Sequence, residues 1–133
     1  MKFYCAAAIA ILMTINTFCY SRELYRAPTA GDSGTYYVLT HEKIDLNISK
    51  VLTSRIGKNN EYTDFTELNI NCASKQYLEL ASNNEDGAQE KPTKPLKAWS
   101  NNSKWTSLVA GSSKYELVQF ICKRHRANNT PQQ

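Results

Sequence analysis

No stretch narrows the possible fold as much as residues 105–126, which read as a short apolar strand, a glycine turn and an amphipathic helix in succession. Ser113 and Glu116 have the spacing of a capping box, in which the hydroxyl accepts from the Glu116 amide while the carboxylate reaches back to the Ser113 amide. Gly111 and Ser112 supply the turn before it. Leu117, Val118, Ile121 and Cys122 then fall on one helical face, with Phe120 at its border. A helix with a single apolar stripe must cover another layer, and the alternating segments upstream predict that the layer is a sheet. Lys123, Arg124, His125 and Arg126 occupy the last turn, where exposed carbonyls favour positive charge. Residues 127–133 are expected to form a disordered tail.

The opposite end of the chain belongs to a different class of segment. Lys2 precedes an apolar run over residues 3–18, followed by Cys19-Tyr20-Ser21 and the charged Arg22 and Glu23. This is the pattern of a secretory signal peptide cleaved after Ser21. A retained membrane anchor is one alternative, because the run approaches the roughly 18 apolar residues of a spanning helix. Thr14, Asn16 and Thr17 dilute it. A lipoprotein acylated at Cys19 is the other, although Phe18 and Asn16 fit such a signal poorly. Cleavage leaves about 112 of the 133 residues, enough for one domain. The product is exported, to the periplasm, the cell surface or the medium.

Of four cysteines only Cys72 and Cys122 survive that cleavage. In an exported protein the pair is expected to form a structural disulfide, closing a loop worth roughly 4 kcal/mol in the chain-entropy model. Two free thiols or a redox pair are the alternatives, without the Cys-x-x-Cys spacing of redox sites. Without Lys2, 15 Lys and Arg stand against 12 Asp and Glu, a net charge of +3. So mild an excess demands neither nucleic acid nor an acidic glycan.

Between these ends, residues 22–34 carry Pro28, Gly31, Asp32 and Gly34 without periodicity and read as a flexible N-terminal segment. A strand is predicted over residues 35–41 from its Tyr, Val and Thr content. Ile44, Leu46 and Ile48 alternate with polar neighbours and predict a half-buried strand, continuous with the first or separate from it. A weaker strand over 50–56 ends at the turn formers 57–60, the expected tip of a hairpin. Residues 62–72 alternate, but Phe65 is out of step with Leu68, Ile70 and Cys72, and a bulge is expected to reconcile them. Another strand over 75–81 is closed by the turn formers 83–87, where Glu85 and Asp86 read as solvated loop charge. Residues 88–98 hold Pro92 and Pro95 and form an exposed basic loop. Residues 105–110 supply the last strand, with Trp105 in the core.

Nothing in this inventory points to catalysis. His41 and His125 lack a metal-binding spacing, and neither a nucleophile elbow nor a glycine-rich phosphate loop occurs, so no catalytic residue, metal or cofactor is assigned. The candidate binding residues are Lys91, Lys94, Lys97 and Trp99 around the proline loop, and Lys123, Arg124 and Arg126 at the helix end. Either cationic group could meet an acidic glycan or protein, or could serve only solubility and the helix dipole. Trp99 beside lysines has the character of a binding anchor. Asn47, Asn101 and Asn128 match the glycosylation acceptor pattern, which has no meaning in a bacterial product.

The tyrosine-rich first strand, the Leu68-Asn-Ile-Asn-Cys72 segment and the run from Trp105-x-x-Leu-x-x-Gly-Ser to Leu-x-x-x-Ile-Cys122 resemble the bacterial surface-adhesin protein E family, over residues 35–125. The resemblance implies an α+β domain over residues 35–126, an antiparallel sheet of five or six strands packed on one C-terminal helix, with the two cysteines joining helix to sheet. It also implies a non-enzymatic, adhesin-like binding protein contacting host extracellular-matrix or serum proteins. The family's acylated anchor cysteine has no convincing counterpart here, and the stretch from Asp45 to Cys72 is short for it. The alternative is a periplasmic accessory or immunity protein that binds and inhibits a bacterial toxin or enzyme.

Overall fold

The computed structural model describes residues 21–100 and 103–128. Segments rich in Val, Ile, Thr and Tyr become strands that each pair antiparallel with their neighbour in sequence: β1 (Glu23–Arg26), β2 (Thr35–Lys43), β3 (Ile48–Ile56), β4 (Tyr62–Asn71) and β5 (Gln76–Asp86). The outer edge of β5 is shared by two short strands, β6 (Lys97–Ala98) and β7 (Thr106–Ser107), giving seven strands in one sheet among the described residues. Helix α1 (Ser113–Asn128) lies on one face, and a Cys72–Cys122 disulfide fastens it to the end of β4. None of the described helices is long and apolar enough to cross a membrane.

Register divides the residues between two faces. On the helix-bearing face Val38, Val51, Leu68 and Ile70 meet Leu117, Val118, Ile121 and Cys122 in the main core, with Tyr25, Tyr77, Leu108 and Phe120 packed around it. The far face has its own smaller core of Leu39, Leu52 and Phe65, covered by Tyr37 and Leu96. Phe65 therefore needs no bulge. β4 keeps an unbroken register with β3, and the phase of Phe65 is that of the second face. The irregularities lie elsewhere: between Val38 and Thr40, between Leu24 and Arg26, and opposite Glu67 and Leu68 where β5 carries an extra residue. The adjacent Val38 and Leu39 fall in different cores by the ordinary alternation of a strand.

Several expectations are corrected. Residues 22–34 are not a flexible lead: β1 is an edge strand, and its Tyr25 packs on Tyr36 and Phe120 with ring centroids 5.7 and 6.2 Å apart. The domain thus begins before residue 35. Ile44 and Leu46 do not form a strand; they sit at the β2–β3 hairpin tip, 52% and 70% exposed. β5 runs through the supposed turn at 83–87 to Asp86. Trp105 is outside the core, at 38% exposure, and only Thr106 and Ser107 of the last strand pair with β5. The helix cap is one residue earlier than the capping box implies: Ser112 Oγ accepts from the Tyr115 amide at 3.1 Å, while the Glu116 carboxylate turns to Arg26 at 3.5 Å. Gly111 enters this cap with φ 81°, a conformation that favours glycine. The helix continues through Ala127 and Asn128, so the expected tail is too long at its start. The signal-peptide reading up to Tyr20, Cys19 lipidation, Asn101 and the tail beyond Asn128 lie outside the described residues.

The hairpin at residue 57 is present. Gly57 donates to the Tyr62 carbonyl at 2.9 Å, and Asn59 and Asn60 take the left-handed turn at φ 56° and 58°. A Cβ at Gly57 would fall 2.4 Å from the Tyr62 ring, so the tyrosine lies directly on the turn's backbone.

Candidate functional site

The candidate binding residues do not gather into one surface. Lys91 and Lys94 belong to a strap over residues 88–96 that crosses the far face of the sheet. The strap is tied down by a carboxylate that sequence placed in solvent: Glu85 is only 3% exposed and accepts from the Thr93 amide at 2.9 Å and from the Thr93 hydroxyl. These bonds, the hydroxyl's foremost, hold its carboxyl below the usual carboxylate range. Asn83 Nδ2 donates to the Lys94 carbonyl at 3.0 Å, and Thr63 Oγ1 accepts from the Gln89 amide at 2.9 Å. Lys91 and Lys94 remain exposed on top of the strap. Lys97 and Trp99 lie beyond it at the β5 edge.

Lys123, Arg124 and Arg126 occupy the helix end, on the opposite face and toward the other end of β4. Arg124 is committed to structure. Its guanidinium grips both carboxylate oxygens of Glu23 on β1, with Nη1 2.8 Å from Oε1, and lies 4.5 Å over the Phe120 ring. The hydrogen bond from Arg124 is the main reason Glu23 titrates low. His125, on the buried side, donates from Nε2 to the Leu46 carbonyl and so binds the helix end to the β2–β3 tip. His41 lies 3.0 Å from Ser49 Oγ, and burial followed by the nearby Arg124 charge lowers its pKa.

The site that the fold does assemble lies where the helix stops short. α1 covers the Val51, Leu68 and Ile70 part of its face and leaves the adjoining part, from Tyr36 through Arg55 and Asp64 to Asn84, open as a cleft of about 370 Å³. Strand pairing places Arg55 opposite Asp64, and Asp64 opposite Asn84. Arg55 Nε donates to Tyr36 Oη at 2.9 Å, Nη2 to Asp32 at 3.1 Å, and Nη1 to the Tyr62 hydroxyl, with Asp64 3.9 Å away. Tyr36 in turn donates to Asp32 at 2.6 Å. The Tyr36 hydroxyl is the foremost cause holding the Asp32 carboxyl down at about 2, with the Gly34 amide and Arg55 adding to it.

Arg26 carries the same network to the start of the helix. Its guanidinium lies 3.9 Å from Asp32 and 3.5 Å from Glu116, and donates to the Gly111 carbonyl at 3.1 Å. A Cβ on Gly34 would meet Arg55 Nε at 2.6 Å, which is why the loop can pass so close to the guanidinium. The walls of the cleft are thus fixed in orientation by bonds among themselves.

Trp99 stands at the rim. Its amide donates to the Leu80 carbonyl at 2.9 Å, which pins the backbone to the sheet edge, while the residue as a whole stays 50% exposed. Sequence reading found Trp99 but missed Arg55, Asp64, Asn84 and Lys114. The available signal was the presence of oppositely charged Arg55 and Asp64 at facing positions of the hairpin that turns at residue 57. Among the described residues, no group of three His, Cys, Asp or Glu side chains is placed to hold a metal ion.

Searches against protein-family models, curated proteins and solved structures return no match to this chain.

Proposed function

We propose that the chain is an exported, non-enzymatic binding domain, adhesin-like, that takes hold of host extracellular-matrix or serum proteins through the cleft beside Trp99. The observation that carries this reading is Trp99 itself: a tryptophan with a fixed backbone and a half-exposed residue surface at the rim of an oriented polar cleft. Tryptophan in such a setting is the residue type that most often dominates an interface energetically. The disulfide, in a domain whose described helices are all too short to span a membrane, is compatible with export. Lys91 and Lys94, displayed on the other face from Lys123 and Arg126, serve solubility or long-range attraction in this reading and not one continuous anion site. The test is binding of the folded protein to immobilised matrix and serum glycoproteins by biolayer interferometry. Trp99→Ala should weaken it about tenfold or more, with an unchanged melting transition. No binding to any panel member, or full binding by the variant, would overturn the reading.

A second reading, a periplasmic accessory or immunity protein that inhibits a bacterial toxin or enzyme, is favoured by one different feature. The β2–β3 tip presents Ile44 and Leu46 to solvent while Ile44 and Asp45 donate to the Ile48 carbonyl and His125 holds Leu46. A firmly held apolar projection suits insertion into a partner's pocket. Localisation separates the two: release by osmotic shock, with no cleavage by protease added to intact cells, sinks the adhesin reading and supports this one.

A further inference from the structure

Trp99 borders three concavities. One, of about 300 Å³, is lined also by Ser82, Lys97, Ala98 and Ser100. The other two are the cleft already described and a hollow of about 350 Å³ lined by Tyr77, Glu79, Ser103, Lys104 and Thr106 along the β5 edge between β6 and β7. We propose that these last two hollows with Trp99 between them form one groove for a neutral, linear oligosaccharide. This rests on the reading of Trp99 as the contact anchor and names the chemical class of what it contacts.

Charge selects the class first. The cations of the cleft are already engaged: Arg55 by Asp32 and Asp64, and Lys114 by Glu79 at 3.2 Å. An anionic ligand would have to displace those carboxylates and leave them near its own charge, so the cleft favours a ligand without charge. Lys104, exposed in the second hollow, and Lys97, in the hollow beside it, have no carboxylate within ion-pair distance among the described residues, so an acidic sugar is the rival that the experiment must address.

The remaining wall groups are uncharged, and several are two-way. Thr66 and Ser82 hydroxyls and the Asn84 amide line the cleft, and each can both donate and accept, as a ring of sugar hydroxyls requires. Asn84 Nδ2 donates to Asp64 Oδ1 at 2.5 Å, which fixes the amide plane before any ligand arrives. The apolar C–H face of a pyranose ring matches an exposed indole, which supplies large contact area at small entropic cost. The presence of a hollow on each side of Trp99 favours a chain of rings over a single one. Both hollows fall within the size range of small-molecule sites.

The experiment uses the full mature domain carrying Trp105→Phe, so that Trp99 is its sole tryptophan reporter. Cellotetraose, maltotetraose and tetra-N-acetylchitotetraose are the neutral probes and a heparin tetrasaccharide the acidic one, read by tryptophan fluorescence and saturation-transfer NMR. At least one neutral probe should shift the fluorescence and receive saturation, with an affinity unchanged by added salt. In the NMR readout Trp99→Ala should weaken it about tenfold and Asn84→Ala severalfold, with folding verified by an unchanged melting transition. Binding of heparin alone, binding of no saccharide, or equal binding by Trp99→Ala would each overturn the proposal. Enzymatic deglycosylation of a bound matrix glycoprotein distinguishes this failure from that of the function: retained, Trp99-dependent binding removes the saccharide and keeps the protein contact.

Discussion

Replacing Asp32 by Asn tests the network that joins the N-terminal segment to the sheet. Asp32 receives the Tyr36 hydroxyl at 2.6 Å, the Gly34 amide at 3.0 Å and Arg55 at 3.1 Å, and its carboxyl titrates at about 2 instead of 3.8. Because the folded value is depressed, the stabilisation is fully present above the unfolded value and is lost as pH falls toward the folded one. A displacement of that size corresponds to roughly 2.5 kcal/mol, and solvent screening of a side chain 23% exposed reduces it to about 1–2 kcal/mol. Urea unfolding of wild type and Asp32→Asn, followed by circular dichroism between about pH 5 and about pH 2, reads this directly. Glu23 and Glu85 also titrate low, so both proteins lose stability with acid and the informative quantity is the difference between them. Wild type should start more stable by about 1–2 kcal/mol, and the gap should close as Asp32 protonates. Parallel curves over the whole range would refute the assignment of Asp32 as the network's acceptor.

Further outcomes follow from the packing. Cys72→Ala with Cys122→Ala should cost about 4 kcal/mol in urea unfolding, from the 50-residue separation that the disulfide closes, and a loss below about 1 kcal/mol would contradict it. Ser112→Ala should cost about 1 kcal/mol and Ser113→Ala only a few tenths, because Ser112 supplies the cap; the reverse order would restore the capping box. Phe65→Ala should cost about 3–5 kcal/mol and raise amide exchange in residues 88–96, whose Leu96 packs against the cluster that Phe65 belongs to; exchange unchanged there would separate strap from core. A double-mutant cycle on Glu23 and Arg124 should give about 0.5–1 kcal/mol, since both side chains are over a third exposed.

The parts of this fold legible in sequence were those specified by neighbours along the chain. The helix stripe at Leu117, Val118, Ile121 and Cys122 needed only its 3.6-residue period, and all four side chains are buried as that period implies. Phe65 was misread because one apolar face per strand was assumed, whereas the strap supplies a second cover that makes the opposite phase equally apolar. Glu85 was misread for the same reason: its partner, Thr93, comes from a proline-bearing segment with no period of its own. β1 was invisible because four residues are too few to show alternation, and its burial is decided by Tyr36 and Phe120 from distant elements. The cleft residues Arg55, Asp64 and Asn84 are joined only by register across three strands, information that no single segment contains.

The order of the sheet has a consequence for how the molecule comes into being. Strands β1 to β5 each pair with the one just before, so the sheet can grow hairpin by hairpin as chain becomes available, and the strap that follows can cover its far side at once. The other side has no such provision. Val38, Val51, Leu68 and Ile70 stay bare until the final sixteen-residue helix arrives, and its return to β1 spans 101 residues. A sheet without its helix therefore has one covered face and one bare apolar face, so a change that detaches α1 exposes a surface prone to self-association.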